Sequence, residues 1–103
     1  MIRMNKMIVR IKEKIASKDR ILNGSLIKQY KQCGKINCRC HANVAYWHGP
    51  YFIWTRKENG KTITKTLTKN QATAVKKAIK DMKELKKIIE KWRELSLKEI
   101  ENL

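Results

Sequence analysis

Cys33, Cys38, Cys40, His41 and His48 are the only cysteines and histidines in this chain, and all five fall within sixteen consecutive residues. Three thiols and an imidazole make a closed tetrahedral set for a structural zinc ion, and Cys33-x4-Cys38-x-Cys40 places three sulfurs on a loop short enough to wrap one ion. The fourth ligand is His48 or His41. Cys40 and His41 are adjacent, so their side chains tend to diverge, whereas His48 precedes Gly49-Pro50 and could tether the first strand to the loop. That favours His48. An odd number of cysteines leaves a disulfide framework unclosed, and a cytoplasmic location, the expectation from a charged N-terminus with no apolar leader, keeps thiols reduced. The expected cofactor is one structural zinc ion. The alternatives are buried or surface thiols that hold no metal, and a reactive, redox-sensing cysteine, which Lys35 and Arg39 would favour by lowering a nearby thiolate's pKa.

Catalysis does not fit the same residues. A catalytic zinc needs an open position and a nearby general base, and the loop carries no acidic residue. Asp19 and Asp81 are the only aspartates, and the glutamates sit among lysines on presumed helix faces. The expectation is a protein that is not an enzyme.

The elements that must position the cluster can be read from the pattern around it. In residues 1–24, Met4, Ile8, Ile11, Ile15 and Leu22 recur at helical spacing, and Asn23-Gly24 can end the helix. Residues 25–50 form the metal loop, entered through a short helical turn that Ser25 would cap, with Leu26, Ile27 and Tyr30 on it. In residues 51–68, Tyr51–Arg56 and Thr62–Leu67 flank Asn59-Gly60, the favoured pair for a tight hairpin turn. Pairing across that turn sets Arg56 opposite Ile63, Trp54 opposite Lys65 and Phe52 opposite Leu67 on the core face. Tyr51, Ile53, Thr55, Lys57, Thr62, Thr64 and Thr66 take the other face. Thr68 is a candidate N-cap, and residues 69–103 read as a long amphipathic helix free of Gly and Pro, with apolar positions at Val75, Ile79, Met82, Leu85, Ile89 and Trp92. The whole is one small α+β domain stapled by zinc: N-terminal helix, Cys/His metal loop, antiparallel β-hairpin, long C-terminal amphipathic helix. A core this size gains from a staple.

With 25 Lys+Arg against 9 Asp+Glu in 103 residues, the formal net charge is +16. An excess of that size points to a polyanionic partner, with nucleic acid, and double-stranded DNA first, as the expectation. The contacting residues expected are Lys31, Lys35, Arg39, Arg56, Lys57, Lys61, Lys65 and Thr64. Tyr46, Trp47, Tyr51 or Trp54 stacking on unpaired bases would instead suit RNA. A larger protein or a homodimer, held through the C-terminal helix, is the competing partner. No segment approaches the roughly 20 apolar residues that cross a bilayer, so no membrane partner is expected.

Gly24-Ser25-Leu26, Tyr30, Cys33-Gly34-Lys35, Cys38-Arg39-Cys40 and His48-Gly49-Pro50-Tyr51-Phe52 resemble the signature of a family of small uncharacterised bacterial and archaeal proteins, often found beside mobile elements. The resemblance spans roughly residues 20–95. It implies that the histidine before Gly-Pro, His48, belongs to the signature, and it implies no activity. Trp54 to Thr68, with Asn59-Gly60-Lys61 at the turn and Lys69-Asn70-Gln71-Ala72 opening the helix, is similar to the small arm-site DNA-binding domains of phage-type integrases. That likeness implies a sheet presented to the major groove, although those domains have three strands and the pattern here offers two.

Overall fold

Tyr51 to Leu67 alternates as a hairpin should, and the strands it builds organise everything around the metal loop. In the computed structural model, which describes Lys6–Leu103, the order is helix α1 (Lys6–Ala16), strand β1 (Ser25–Lys31), two short 3-10 turns (Arg39–His41 and Val44–Tyr46), strand β2 (His48–Glu58), strand β3 (Lys61–Leu67) and helix α2 (Lys69–Glu101). The architecture is α+β, with one three-stranded antiparallel sheet in the order β1-β2-β3. The chain forms two compact units, residues 23–76 and residues 1–22 with 77–103.

The sheet unit is built on the hairpin. Phe52 pairs with Leu67, Trp54 with Lys65, Arg56 with Ile63 and Glu58 with Lys61, the register expected from a two-residue turn. Asn59 (φ 51°) and Gly60 (φ 78°) supply the left-handed conformations such a turn requires. Trp54, Leu67, Ala72 and Val75 are buried, so the face carrying Trp54 and Leu67 is the core face. The indole Nε1 of Trp54 donates to the Asn23 carbonyl at 2.9 Å.

Two expectations are corrected here. Ser25 does not cap a helical turn: Ser25–Lys31 is a strand, paired antiparallel with β2 through Leu26↔Trp54, Ile27↔Ile53 and Gln29↔Tyr51. Without it the second edge of β2 would keep unpaired backbone donors and acceptors. Residues 25–50 are therefore not all loop, and β2 begins at His48, three residues before the expected start. Gly24 makes the entry possible. At φ +112°, a Cβ there would lie 2.4 Å from the Thr55 carbonyl oxygen and 2.8 Å from the Trp54 indole nitrogen, a closeness that only glycine permits.

The second correction concerns the first helix, expected to run to Leu22. α1 stops at Ala16, where the Ser17 hydroxyl bonds back to the Lys14 carbonyl at 2.6 Å and the chain continues extended. The reason lies far along the sequence. Lys18 is drawn into ion pairs with Asp81, at 3.5 Å, and Glu84, and the Leu22 amide donates to the Ala78 carbonyl at 3.2 Å. Met4, expected on the same stripe, lies outside the described residues.

In this helical unit Ile8 and Ile11 of α1 are buried, as are Ala78 and Ile79 of α2. Lys12 stacks on Trp92 at 5.7 Å. The pairs 12–92, 18–84 and 22–78 descend as the first number rises, so α1 and α2 run antiparallel. Thr68 caps α2 as expected, and more completely: its hydroxyl accepts from the Gln71 amide at 3.1 Å while the Gln71 side chain accepts from the Thr68 amide at 3.0 Å. That reciprocal pair is a capping box. The expected apolar position Ile89 is exposed, as are Leu97 and Ile100 nearer the end of α2.

Candidate metal centre

The four expected ligands come from three local structures, each with its own reason to point inward. Cys33 lies just beyond the end of β1. The Cys38 amide closes a turn onto the Lys35 carbonyl at 3.2 Å, and Cys40 sits in the 3-10 turn whose His41 amide returns to the Cys38 carbonyl at 3.1 Å. His48 opens β2 opposite Lys31, where the β1–β2 register shifts by one residue past Gln29. That irregularity turns the first residue of β2 independently of the alternation that governs Tyr51 onward. The Gly49–Pro50 peptide is cis.

The ligand atoms of Cys33, Cys38, Cys40 and His48 all lie within 4.8 Å of one another. Cys38 Sγ is 3.1 Å from His48 Nε2, and Cys40 Sγ is 3.6 Å from Cys33 Sγ. Tetrahedral zinc with ordinary bond lengths has S···S edges of about 3.8 Å and S···N edges of about 3.6 Å. These positions therefore fit one metal ion after shifts of about an ångström. They do not fit a disulfide, whose sulfurs sit about 2.05 Å apart, and all three cysteines are free. His41 is exposed and takes no part in the group.

The backbone already favours thiolates. The Cys40 amide, donating to Cys38, is the largest cause that lowers the Cys38 pKa to about 6; the His48 ring adds to it. Cys40, wholly buried, has its pKa pushed up by that burial, although the Cys33 amide donates to its sulfur at 3.3 Å. The Gln32 amide side chain holds the Cys40 carbonyl at 3.4 Å. The backbone amides of Cys33 and Cys40, donating to sulfur, orient thiolate ligands and spread their charge. Among the described residues no carboxylate stands in the cluster.

The basic residues expected at a nucleic-acid surface divide between the two sheet faces and the loop. Lys57 and Thr64 share the open face, opposite Thr62 and Thr55 respectively, and Lys31 reaches that face with its Nζ 4.8 Å from the Tyr51 ring. Lys61 stands exposed at the hairpin turn, and Lys35 and Arg39 stand exposed on the metal loop, Arg39 lying 5.9 Å from the Tyr46 ring. Arg56 and Lys65 occupy the opposite face. Arg56 is committed within the unit: its guanidinium lies 4.1 Å from the Trp54 ring and its Nε is 2.9 Å from Glu58, while Nη1 is buried without a partner. Strand β1 adds Ser25, Ile27 and Gln29 to the open face. Sequence reasoning missed these three because it read the segment as a helical turn, and with Leu26 its single half-buried residue the segment carries little period-two signal.

Fold and site together define a small basic α+β protein whose three-stranded sheet is joined to a Cys3His centre able to hold one metal ion. The chain belongs to the family described as Domain of unknown function (DUF6788), which matches residues 1–77. The match takes in all four ligands, the whole sheet and the capping box of α2. No curated protein and no solved structure matches the chain. Among the described residues, no helix is long and apolar enough to cross a membrane.

Proposed function

We propose that this protein is a non-catalytic, zinc-stabilised DNA-binding protein, of an accessory or regulatory kind suited to a mobile element, and that it docks the open face of its sheet on duplex DNA. The observation that carries the reading is the open face itself. Thr55, Thr62, Thr64 and Thr66 present hydroxyls there between Lys57 at one end and Lys31 at the other, in a chain of net charge +16. Hydroxyls and lysines contact phosphate and base edges, and a β-ribbon fits the major groove. Zinc suits the Cys3His donor set, and its role is to hold the loop that brings Lys35 and Arg39 beside the sheet.

A salt titration of binding, comparing duplex DNA, single strands and structured RNA, tests the proposal. With Lys31, Lys35, Arg39, Lys57 and Lys61 on phosphates, log K against log salt should fall with a slope of about −4 to −5 on duplex DNA. Preference for single strands would move the reading to base stacking on the tyrosines. Absence of binding to all three at low salt would refute it and leave the protein-interaction reading, which the exposed Ile89, Leu97 and Ile100 of α2 favour.

A further inference from the structure

We infer that the open sheet face reads A·T base pairs from the major groove, chiefly through thymine methyl groups. This rests on the duplex-DNA reading above and assigns the sequence class that reading leaves open.

The register lays the face out row by row. Gln29 stands beside Tyr51, Ile27 beside Ile53 and Thr66, Ser25 beside Thr55 and Thr64, and Lys57 beside Thr62. Its centre is thus apolar and hydroxylic, with isoleucine and threonine methyl groups at five adjoining positions, Ile27, Ile53, Thr55, Thr64 and Thr66. Ile27 is 51% exposed although it stands mid-strand, so apolar surface is held open where a partner would cover it.

The major groove presents a distinct pattern for each base pair, and the side chains that read it are set by geometry. Guanine is read by Arg or Lys donating two hydrogen bonds, and cytosine by a carboxylate accepting from N4. Neither type occurs in the middle of this face. Its lysines, Lys31 and Lys57, stand at opposite ends, the place for phosphate contacts that set register without reading sequence. What the centre does offer is apolar surface for the thymine C5 methyl and one carboxamide, Gln29, whose paired donor and acceptor match adenine N6 and N7. Side chains at i and i+2 on a strand are separated by about 6.6 Å, close to two base-pair steps of about 3.4 Å. Ile27 and Gln29 can therefore address alternate base pairs without distortion of either partner. Arg56, the one arginine of the sheet, is turned to the other face and stacked on Trp54.

Replacing thymine by uracil in a duplex removes only the major-groove methyl and leaves every hydrogen-bonding group of both grooves in place. Binding of the zinc-loaded full chain should be measured by fluorescence anisotropy to three duplexes of equal length: A·T-rich, the same sequence with uracil for thymine, and G·C-rich. The expected order is A·T-rich tightest, with uracil substitution weakening binding about fourfold for each methyl covered and tenfold or more in all. Ile27→Ala should bring the thymine-to-uracil ratio towards one while leaving the salt slope unchanged. Thr64→Ala provides a second variant on the same face, and far-ultraviolet circular dichroism with zinc content confirms that each is folded. Equal affinity for the thymine and uracil duplexes overturns the inference and leaves duplex binding intact, including the case where an A·T preference survives by way of the minor groove. Failure to bind any duplex overturns the duplex-DNA reading itself, and the inference with it.

Discussion

Removing the metal is the perturbation that most directly tests how the sheet unit is built. That unit spans residues 23–76 and buries only Cys40, Trp54, Leu67, Ala72 and Val75, and Cys40 is itself one of the four converging ligands. An ion that binds the folded state alone stabilises by mass action, about 4 kcal/mol when its free concentration is a thousand times Kd. Structural zinc in small domains commonly binds tightly enough for that ratio to hold at micromolar metal. Unfolding entropy of about 2.1 cal/mol/K per residue, over the 103 residues of the chain, converts 4 kcal/mol into a rise of about 19 °C in Tm. Circular dichroism melting of the chelator-stripped protein, with and without added zinc, should show that rise, and elemental analysis should return one zinc per chain. Cys38→Ser and His48→Gln should each remove most of it, because each deletes one of four ligands. His41→Gln should keep it within about 2 °C, the effect of an ordinary surface change. A wild-type Tm indifferent to both zinc and chelator would refute the reasoning. So would a rise that survives His48→Gln and disappears in His41→Gln.

The remaining predictions concern the framework. Gly24→Ala should cost about 3 kcal/mol or more in denaturant unfolding, because the added Cβ meets the backbone oxygen of Thr55 at 2.4 Å and the residue must hold φ +112°; Gly34→Ala, with nothing within 4 Å of its Cβ, should change stability by less than about 0.5 kcal/mol, and equal losses would contradict the close approach. Lys18→Met should lower Tm by stranding Asp81, which is buried, and adding Asp81→Asn should recover most of the loss. The other partner of Lys18, Glu84, sets a pH window. The hydrogen bond from Lys18 holds Glu84 below its ordinary 4.5, so its contribution is present above pH 4.5 and lost as pH falls through the lowered value. Glu84 raises Lys18 above its ordinary 10.5, so that contribution is present below pH 10.5 and lost as pH rises through the raised value; the Lys18→Met protein should show a flatter pH profile at both ends. Arg56→Met should leave duplex-DNA affinity unchanged and Tm within about 3 °C, since the methionine keeps the contact with Trp54 and removes an unpartnered buried nitrogen; a large loss of DNA affinity would place Arg56 at the interface.

What was legible in the sequence was what is specified locally. Asn59-Gly60 dictates a two-residue turn, and the turn dictates the register that puts Trp54 opposite Lys65. Thr68 and Gln71 are three residues apart and cap each other. The cluster was legible because every cysteine and histidine lies in one short stretch, and Cys40-His41 adjacency favoured His48, the imidazole that stands with the three thiols. What escaped is specified from a distance. Ser25–Lys31 has a single half-buried residue, Leu26, so its own pattern carries little strand signal; the free edge of β2 recruits it. The helical stripe continues to Leu22 on paper, but Lys18 is taken by carboxylates more than sixty positions away, and the helix gives way at Ala16. The facing of Arg56 was readable from the register. Its capture by Trp54 and Glu58 was not, because it depends on two side chains choosing the arginine over solvent.

The metal loop and the sheet are parts of one device. Of the outer residues of the cluster, Cys33 follows β1 by two residues and His48 opens β2, paired with Lys31, the last residue of β1. An ion held by both would close the β1–β2 ladder at the end away from Gly24. Between those two ends the sheet has no buried residue on β1, so the outer strand depends on its closures: Gly24 with the Trp54 indole at one, the Cys3His cluster at the other. Gly49 fits the same logic, since a Cβ there would stand 2.8 Å from the Gln29 carbonyl oxygen and would push the strands apart right beside the ligand His48. β1 carries Ile27 and Gln29, and with them half of the chemistry of the open face. In the DNA-binding function proposed above, a metal bound at this centre would act on recognition at one remove, by keeping an otherwise weakly held strand in register.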